Sequence, residues 1–235
     1  MMAEQHSTNL NIALNEISWT PIGTSSFPFT GHFDGNGYEI LNLNIQSTGS
    51  RVGLFGIANN PTVENLIIRN ASIVGGSIVG TLFGQGQNCT VSGITLKNCT
   101  VEGGAYVGGI FGACTTSTVA NCVNDGSVNA SGSYTGGIVG VFDGSIERAL
   151  FTGSVDAQDW VGGIAGTIYG HAYYCTNTGS ISGTKTVGGI AGELSYSQNS
   201  RDVNSCYNNG SVKGGTEVGG IAGYGLSSQN LSTGA

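Results

Sequence analysis

The chain has 235 residues, of which 42 are glycine and 3 are proline, and this composition excludes collagen-like and proline-rich chains. Charged residues make up 9%, far below the roughly 25% of ordinary soluble domains. The net charge of −7, with seven Lys and Arg, argues against binding to nucleic acid or to an anionic membrane. Insertion into a membrane is not expected either, because no apolar run approaches the roughly 18 residues that a membrane helix needs.

Residues 1–24 are predicted to form a lead-in or cap. The first ten residues are polar and contain no signal-peptide hydrophobic core, and Asn9–Glu16 is predicted to form a short helix. The segment Asp34-Gly35-Asn36-Gly37 is interpreted as a tight turn rather than a calcium loop, because it lacks the downstream Glu and the spacing of an EF-hand.

Residues 25–225 are dominated by one recurring motif, V-G-x-[IL]-[FVA]-G. Its closing glycines are Gly56, Gly84, Gly112, Gly140, Gly166, Gly192 and Gly223, which are 28, 28, 28, 26, 26 and 31 residues apart. Self-similarity at such a period indicates a repeat architecture, in which each unit buries its apolar face against its neighbours. Residues 226–235 stop partway into a further repeat, and we interpret them as a truncated tail.

One repeat, residues 118–140, predicts three short strands separated by turns rich in Gly, Asn and Asp: 119–123, 127–129 and 134–139. Three strands in about 27 residues are typical of one coil of a β-solenoid, in which the same strand of successive coils pairs in parallel. The sequence therefore predicts an all-β, right-handed parallel β-helix of about eight coils. At ~4.8 Å per coil its length would be about 38 Å.

Aligned repeats give uniform aliphatic columns, as stacked core positions should. One column contains Leu54, Leu82, Ile110, Ile138, Ile164, Ile190 and Ile221, and another contains Ile45, Ile73, Val101, Val128, Val155, Ile181 and Val212. Val107 and Ile110 face the same side only if the chain bends at Gly108-Gly109. The next column shrinks along the chain, which predicts a change in what fills the coil: Phe55, Phe83, Phe111, Val139, Ala165, Ala191 and Ala222.

The six cysteines show no C-x-x-C pair and no histidine at a zinc-ligand spacing, so no metal site is expected. Cys122, Cys175 and Cys206 share a column with Leu66, Ile94 and Ala149, which predicts that these cysteines are buried as small apolar residues. Only Cys175 and Cys206 fall in adjacent repeats of this column, so at most one disulfide is expected, between these two residues.

The motif V-G-G-[IL]-x-G at this period resembles the GLUG repeat of large bacterial surface and secreted proteins. The stretch from Trp19 to Gly56 is similar to the unit that often opens such arrays, and the resemblance covers about residues 19–225. It implies a β-solenoid in an adhesin-like protein, or in the accessory region of a zinc-dependent IgA1 protease, where the array does not carry the catalysis. The first copy departs from the pattern, since Val52-Gly53-Leu54 has one glycine fewer.

No set of catalytic residues can be assembled from the sequence. His6, His32 and His171 are far apart in repeat register, and neither H-E-x-x-H nor G-x-S-x-G occurs. The carboxylates that a polysaccharide-active β-helix would need are scattered over different turns or columns: Asp143, Asp156, Asp159 and Asp202. The sequence therefore predicts no catalytic residue, no cofactor and no enzymatic activity.

One column indicates a ligand-binding surface. The residue just before the V-G step is Ile78, Tyr106, Tyr134 and Trp160 in four successive repeats, and Thr186 and Glu217 follow. If the following Val faces inward, strand alternation places these four side chains outside. An exposed apolar and aromatic stripe often marks the binding site for a sugar, a protein or a neighbouring subunit, and stacking that stiffens the sheet is the alternative.

Together these features predict a non-catalytic structural or adhesive segment of a secreted bacterial surface protein. Its expected location is extracellular or at the cell surface. The expected partners are a host glycan or a protein ligand, and end-to-end self-association is a further expectation. The competing interpretations are an accessory region of a secreted protease and a polysaccharide-active β-helix enzyme.

Overall fold

The computed structural model describes residues 11–15, 18–195 and 203–225, together with the backbone of 231–232. Over these residues the chain is all-β without a helix, and its strands form four sheets in which every pairing is parallel. The predicted parallel β-solenoid is therefore confirmed. A turn of the chain passes through the four sheets in order, and we call them sheets I to IV.

Sheet I, the longest, contains the strands His32–Asp34, Phe55–Asn59, Thr62–Glu64, Phe83–Gln87, Thr90–Ser92, Phe111–Ala120, Val139–Glu147, Ala165–Ile168, His171–Tyr173, Ala191–Leu194, Val203–Asn204, Ala222–Gly225 and Leu231–Ser232. Sheet II contains Ile12–Ala13, Glu39–Leu41, Ile67–Arg69, Thr95–Lys97, Val123–Asn124, Leu150–Phe151, Thr176–Asn177 and Tyr207–Asn208. Sheet III contains Asn44–Gln46, Ser72–Val74, Thr100–Gly103, Ser127–Ala130, Ser154–Asp156, Ser180–Ser182 and Ser211–Lys213. Sheet IV contains Ser50–Val52, Ser77–Gly80, Val107–Gly108, Thr135–Gly136, Asp159–Gly162, Lys185–Gly188 and Thr216–Gly219.

Sheets III and IV have seven strands each and sheet II has eight, so the described chain makes about seven turns. Each turn has four faces rather than the three that the sequence predicted. The run 119–123 is split between sheets I and II because Asn121 takes a left-handed backbone conformation, with φ of 54°. The run 134–139 is split between sheets IV and I at the double glycine, where the bend lets Val107 and Ile110 both face the core.

The core columns are arranged as predicted. In both aliphatic columns every member is buried except the last, Ile221 and Val212, which are partly buried in the final described turn. All six cysteines are buried as well, including Cys122, Cys175 and Cys206. Residues 34–37 form the predicted tight turn, in which the Asn36 backbone N–H donates to Asp34 Oδ1 at 2.8 Å.

As the side chains of the shrinking column become smaller along the chain, those of a second column become larger. The second column lies three residues further along the sheet I strands, as Ala58 follows Phe55. The phenylalanine rings of the early turns are stacked in the core, with centroids 5.1 Å apart for Phe55–Phe83 and 4.7 Å for Phe83–Phe111. As this column shrinks to Val139 and the alanines, its neighbour grows, and all but the last member of that column are buried: Ala58, Gly86, Cys114, Phe142, Ile168, Leu194 and Gly225. The total volume in the core is therefore kept roughly constant, because large and small side chains exchange places.

The prediction of a cap helix over Asn9–Glu16 is wrong for residues 11–15, which are not helical. Residues 9, 10 and 16 lie outside the described part of the chain. Ile12–Ala13 is a strand that pairs with Ile40–Leu41 at the end of sheet II. The segment that follows covers the end of the core: the Phe29 ring stacks on Phe55 at 4.2 Å, and Trp19 Nε1 donates to the Leu54 carbonyl at 3.1 Å. A strand satisfies the open edge of sheet II, which a helix at this position would leave unpaired.

In the later repeats the second glycine of the motif lies close under the next turn, whereas the second repeat holds the buried Thr81 at this position. A Cβ added at Gly163 would lie 2.3 Å from the Gly189 carbonyl oxygen and 2.6 Å from Asn177 Cγ. At Gly220, in the same column of the last described turn, nothing lies within 4 Å of such a Cβ. The two glycines therefore differ in the space around them and not in their place within the repeat.

We expect Gly163→Ala to lower the free energy of unfolding by about 1–3 kcal/mol, because the core must shift to admit the methyl group. The matched change Gly220→Ala should alter it by less than about 0.5 kcal/mol. Urea unfolding of both variants measures the difference. Equal effects would contradict a steric role for this column.

The exchange of core volume gives a second prediction. Phe142→Ala should lower the free energy of unfolding by about 3–5 kcal/mol, and Val139→Phe alone should lower it by about 1–3 kcal/mol through overpacking. The double variant recreates the Phe55 and Ala58 arrangement of an earlier turn, so it should be more stable than the sum of the single changes by at least about 1 kcal/mol. A double-mutant cycle by chemical denaturation tests this, and simple additivity would refute the exchange.

Candidate functional site

The four predicted binding residues lie in one column at the start of the sheet IV strands, where the chain arrives from sheet III. Every member of this column has a left-handed backbone conformation, with φ between 52° and 66°: Arg51, Ile78, Tyr106, Tyr134, Trp160, Thr186 and Glu217. This conformation is unfavourable for residues with a side chain, by roughly 1–2 kcal/mol. The sequence analysis did not predict the left-handed conformation of this column. The column's place just before the V-G step in every repeat could have indicated a shared backbone conformation.

Three of the four side chains form a continuous stack. The ring centroids of Tyr106 and Tyr134 are 4.9 Å apart with planes 8° from parallel, and those of Tyr134 and Trp160 are 4.7 Å apart and 4° from parallel. These distances match the ~4.8 Å spacing between parallel strands, so the rings follow the rise of the solenoid. We call Tyr106, Tyr134 and Trp160 the aromatic ladder, and Ile78 precedes it in the same column.

The faces of the ladder rings are largely occupied by one another. Tyr106 is 37% exposed, whereas Ile78, Tyr134 and Trp160 are half-buried and Thr186, the next residue of the column, is 1% exposed. Tyr134 is the inner ring and stacks on a ring at both faces, so solvent reaches mainly its edge, whereas Tyr106 and Trp160 each stack on one ring. The four predicted residues are therefore brought together, but a sugar ring could not stack on Tyr134 without displacing a neighbouring ring.

The electrostatic surroundings of the ladder are mixed. Partial burial, and then the nearby Tyr106, Tyr169 and Glu193, raise the pKa of the Tyr134 hydroxyl. At the two ends of the column lie opposite charges: Arg51 Nε donates to Gln85 Oε1 at 2.6 Å, and the Thr186 hydroxyl donates to Glu217 Oε2 at 2.5 Å. The ladder is thus an apolar strip with Arg51 at one end of its column and, at the other, Glu217 paired with Lys185 at 3.8 Å.

The remaining candidate groups do not converge. His32 contacts Glu64 at 2.8 Å in an early turn, and His171 stacks on Tyr173 at 5.8 Å several turns later. His6 and Asp202 lie outside the described residues. Within the part of the chain that the structure describes, no group of three or more His, Cys, Asp or Glu side chains could hold a metal ion.

A second aromatic group was missed by the sequence analysis. Tyr174, which is 55% exposed, lies at the corner between sheets I and II, and the Arg148 guanidinium sits 5.4 Å from the centre of its ring. Tyr207, which is 45% exposed, follows in the next turn. Alignment of the repeats would have placed Arg148 and Tyr174 in one column, so the signal was available.

No protein-family model matches the chain. The chain is 40% identical over 90 residues to halomucin of Haloquadratum walsbyi. The matched segment is 33% of this chain and 1% of halomucin. It is also 43% identical over 61 residues to a "Putative Gly-rich membrane protein" of Evansella cellulosilytica, which is 26% of this chain and 7% of that protein. The matched segments are thus small parts of both relatives.

The fold has a close structural counterpart. A crystal structure described as a "putative immunoglobulin A1 protease" from Bacteroides ovatus superposes with a TM-score of 0.70 and 22% identity, over 95% of this chain and 72% of that chain. At this identity the likeness establishes the fold alone. No helix among the described residues is long and apolar enough to span a membrane.

The left-handed column gives a third prediction. Both Tyr134→Ala and Tyr134→Gly remove the central ring of the ladder, but glycine also relieves the backbone strain at a φ of 66°. We therefore expect the Gly variant to be more stable than the Ala variant by about 1 kcal/mol. The same pair of changes at Ser133, where φ is not positive, should give the opposite order, and urea unfolding of all four variants checks this. A more stable Ala variant at residue 134 would contradict the assigned strain.

Proposed function

We propose that this chain is a non-catalytic structural and adhesive segment of a surface protein, in which a stiff solenoid displays the aromatic ladder. The observation that supports it most directly is the unbroken pairing of about seven turns through the same four parallel sheets. Each turn is hydrogen-bonded to the next on every face, so the array resists bending and extends with the number of repeats.

A surface location is supported by the named relatives. Halomucin and the Gly-rich membrane protein share sequence with this chain over 90 and 61 residues. A spacer built from a repeated unit suits a protein that must hold a binding region away from the cell envelope. The GLUG-repeat assignment belongs to the same proposal, because the motif and its period support it.

For adhesion, the geometry favours a protein ligand over a glycan. Carbohydrate recognition by aromatic residues uses an exposed ring face, and the inner faces of the ladder are covered at 4.7–4.9 Å. The free ring edges and the Tyr106 hydroxyl offer an apolar strip with hydrogen-bonding groups, which is typical of protein interfaces rich in tyrosine and tryptophan.

A single binding experiment tests the adhesive part. The whole chain, immobilised, is presented with purified mucin, immunoglobulin A1 and a panel of polysaccharides. We expect a protein or glycoprotein to be retained, and Tyr106→Ala to weaken retention about tenfold or more, the loss of about 1.4 kcal/mol or more. Tyr207→Ala is the matched control, because Tyr207 is at least as exposed as Tyr106, at 45% against 37%, and lies outside the ladder, and it should leave retention unchanged.

The enzymatic alternatives are tested in the same samples. We expect immunoglobulin A1 and the polysaccharides to remain intact on prolonged incubation. Cleavage that a single carboxylate substitution abolishes would replace this proposal with an enzymatic one. If Tyr106→Ala leaves retention unchanged, the ladder is not the binding surface, and only the structural part of the proposal holds.

A further inference from the structure

Two thiols face each other across adjacent turns of the core. Cys175 and Cys206 are in register, because the flanking residues pair as Tyr173 with Asn204 and Thr176 with Tyr207. The Cys175 backbone N–H donates to Cys206 Sγ at 3.4 Å, and the thiols donate to backbone carbonyls, Cys175 to Tyr173 at 3.4 Å and Cys206 to Asn204 at 3.5 Å. In-register residues on neighbouring strands are ~4.8 Å apart, within the range of Cα separations that a disulfide spans.

No other cysteine of the described chain is in register with a second cysteine, although Cys114 lies near Cys89 of the preceding turn and is in register with Gly86 and Phe142. Cys122 occupies the same column, but the adjacent turns place Ile94 and Ala149 there, and burial raises the pKa of Cys122 to about 12. The residue in register with Cys89 is Ser117, whose hydroxyl oxygen accepts from the Cys89 backbone N–H at 3.1 Å. The pair at 175 and 206 is therefore chemically distinct within a core that otherwise uses cysteine as a small apolar residue.

We propose that Cys175 and Cys206 form an oxidative modification site, at which thiol–disulfide exchange with an external disulfide creates a bridge between two turns. The Cys206 thiolate attacks one sulfur of the external disulfide, and that bond breaks to release a first thiolate. Cys175 then loses its proton and attacks the Cys206 sulfur of the mixed disulfide, which releases a second thiolate. Two electrons pass to the external disulfide, and the two cysteine protons end on the released thiols.

The surroundings assign the first attack to Cys206. Its contacts with the Cys175 thiol and backbone N–H lower the pKa of Cys206, while the same thiol contact and burial raise the pKa of Cys175. Since the thiolate is the nucleophile, Cys206 reacts first. It also lies in the last described turn, where the apolar columns are more open: Val218 is 47% exposed, whereas Val187 below it is fully buried. Local opening of this turn gives an exchange partner access to Cys206.

Bridge formation would tie the turn 203–225 to the turn beneath it. The bond closes a loop of about 30 residues and limits the separation of the two strands that carry the cysteines. The expected consequence is that the turn 203–225 is fixed to its neighbour in oxidising surroundings and can separate from it in reducing ones. This device is independent of the proposed adhesive function.

The test uses the whole chain, fully reduced and then incubated natively with oxidised glutathione. Alkylation and peptide mass spectrometry should find a peptide linked through 175 and 206, with four of the six cysteines still free. Hydrogen exchange of the amides in 203–225 should slow about tenfold or more after oxidation. Wild-type protein alone gives both readouts, so the test does not depend on any variant folding.

Alanine variants supply the controls, because this column already accepts Ala149. Cys122→Ala should form the bridge and keep the slower exchange, and Cys206→Ala should lose both. Six free thiols after oxidation, a glutathione adduct on Cys206 that is never resolved by Cys175, or a bridge between any other pair would each overturn the proposal.

Discussion

Backbone hydrogen bonding between successive turns is the constraint on which the rest of the structure depends. Its register is regular, with a shift between Cys114 and Ser117 in the pairing of Phe111–Ala120 with Val139–Glu147. A slip of one residue would move every inward side chain to the outside. Each position of the repeat is therefore stacked on its equivalents, and all members of a column share one environment. Uniform aliphatic columns, the steric requirement at Gly163 and the burial of Cys122, Cys175 and Cys206 all follow from that stacking.

The same constraint concentrates strain at the corners. The chain must turn sharply four times per repeat, and many corner residues adopt left-handed conformations. Between sheets II and III the corner uses asparagine, whose side chains are linked from turn to turn, as from Asn98 Nδ2 to Asn70 Oδ1 at 2.9 Å. At the start of sheet IV, where the chain arrives from sheet III, three turns use stacked rings. Amide ladders and ring stacks are two ways of offsetting one conformational cost, since both add an interaction between successive turns.

This view separates two roles of the aromatic ladder. As a stack it stabilises a strained corner, and that role needs no ligand. As a surface it offers ring edges between Arg51 and the paired Glu217 and Lys185, and that role needs a partner shaped to a narrow strip. The proposed thiol pair would join neighbouring turns covalently under oxidising conditions, such as those outside the cell.

The sequence by itself determined the fold class, the core columns, the double-glycine bend at Val107–Ile110 and the burial of Cys122, Cys175 and Cys206. It could do so because a repeat displays each structural environment several times, so that a column such as Leu54 to Ile221 averages out the ambiguity of any single strand. The boundary at residues 24 and 25 remains a prediction. Only the tertiary structure decided the four-faced turn, the strand at Ile12–Ala13 in place of a helix, and the stacking that covers the ring faces of Tyr134 and Trp160. The four-faced turn depends on backbone angles at single corners, and the strand Ile12–Ala13 depends on an open sheet edge that a short segment must pair with. The ring stacking depends on distances between side chains about 28 residues apart. A local pattern of residues specifies none of these.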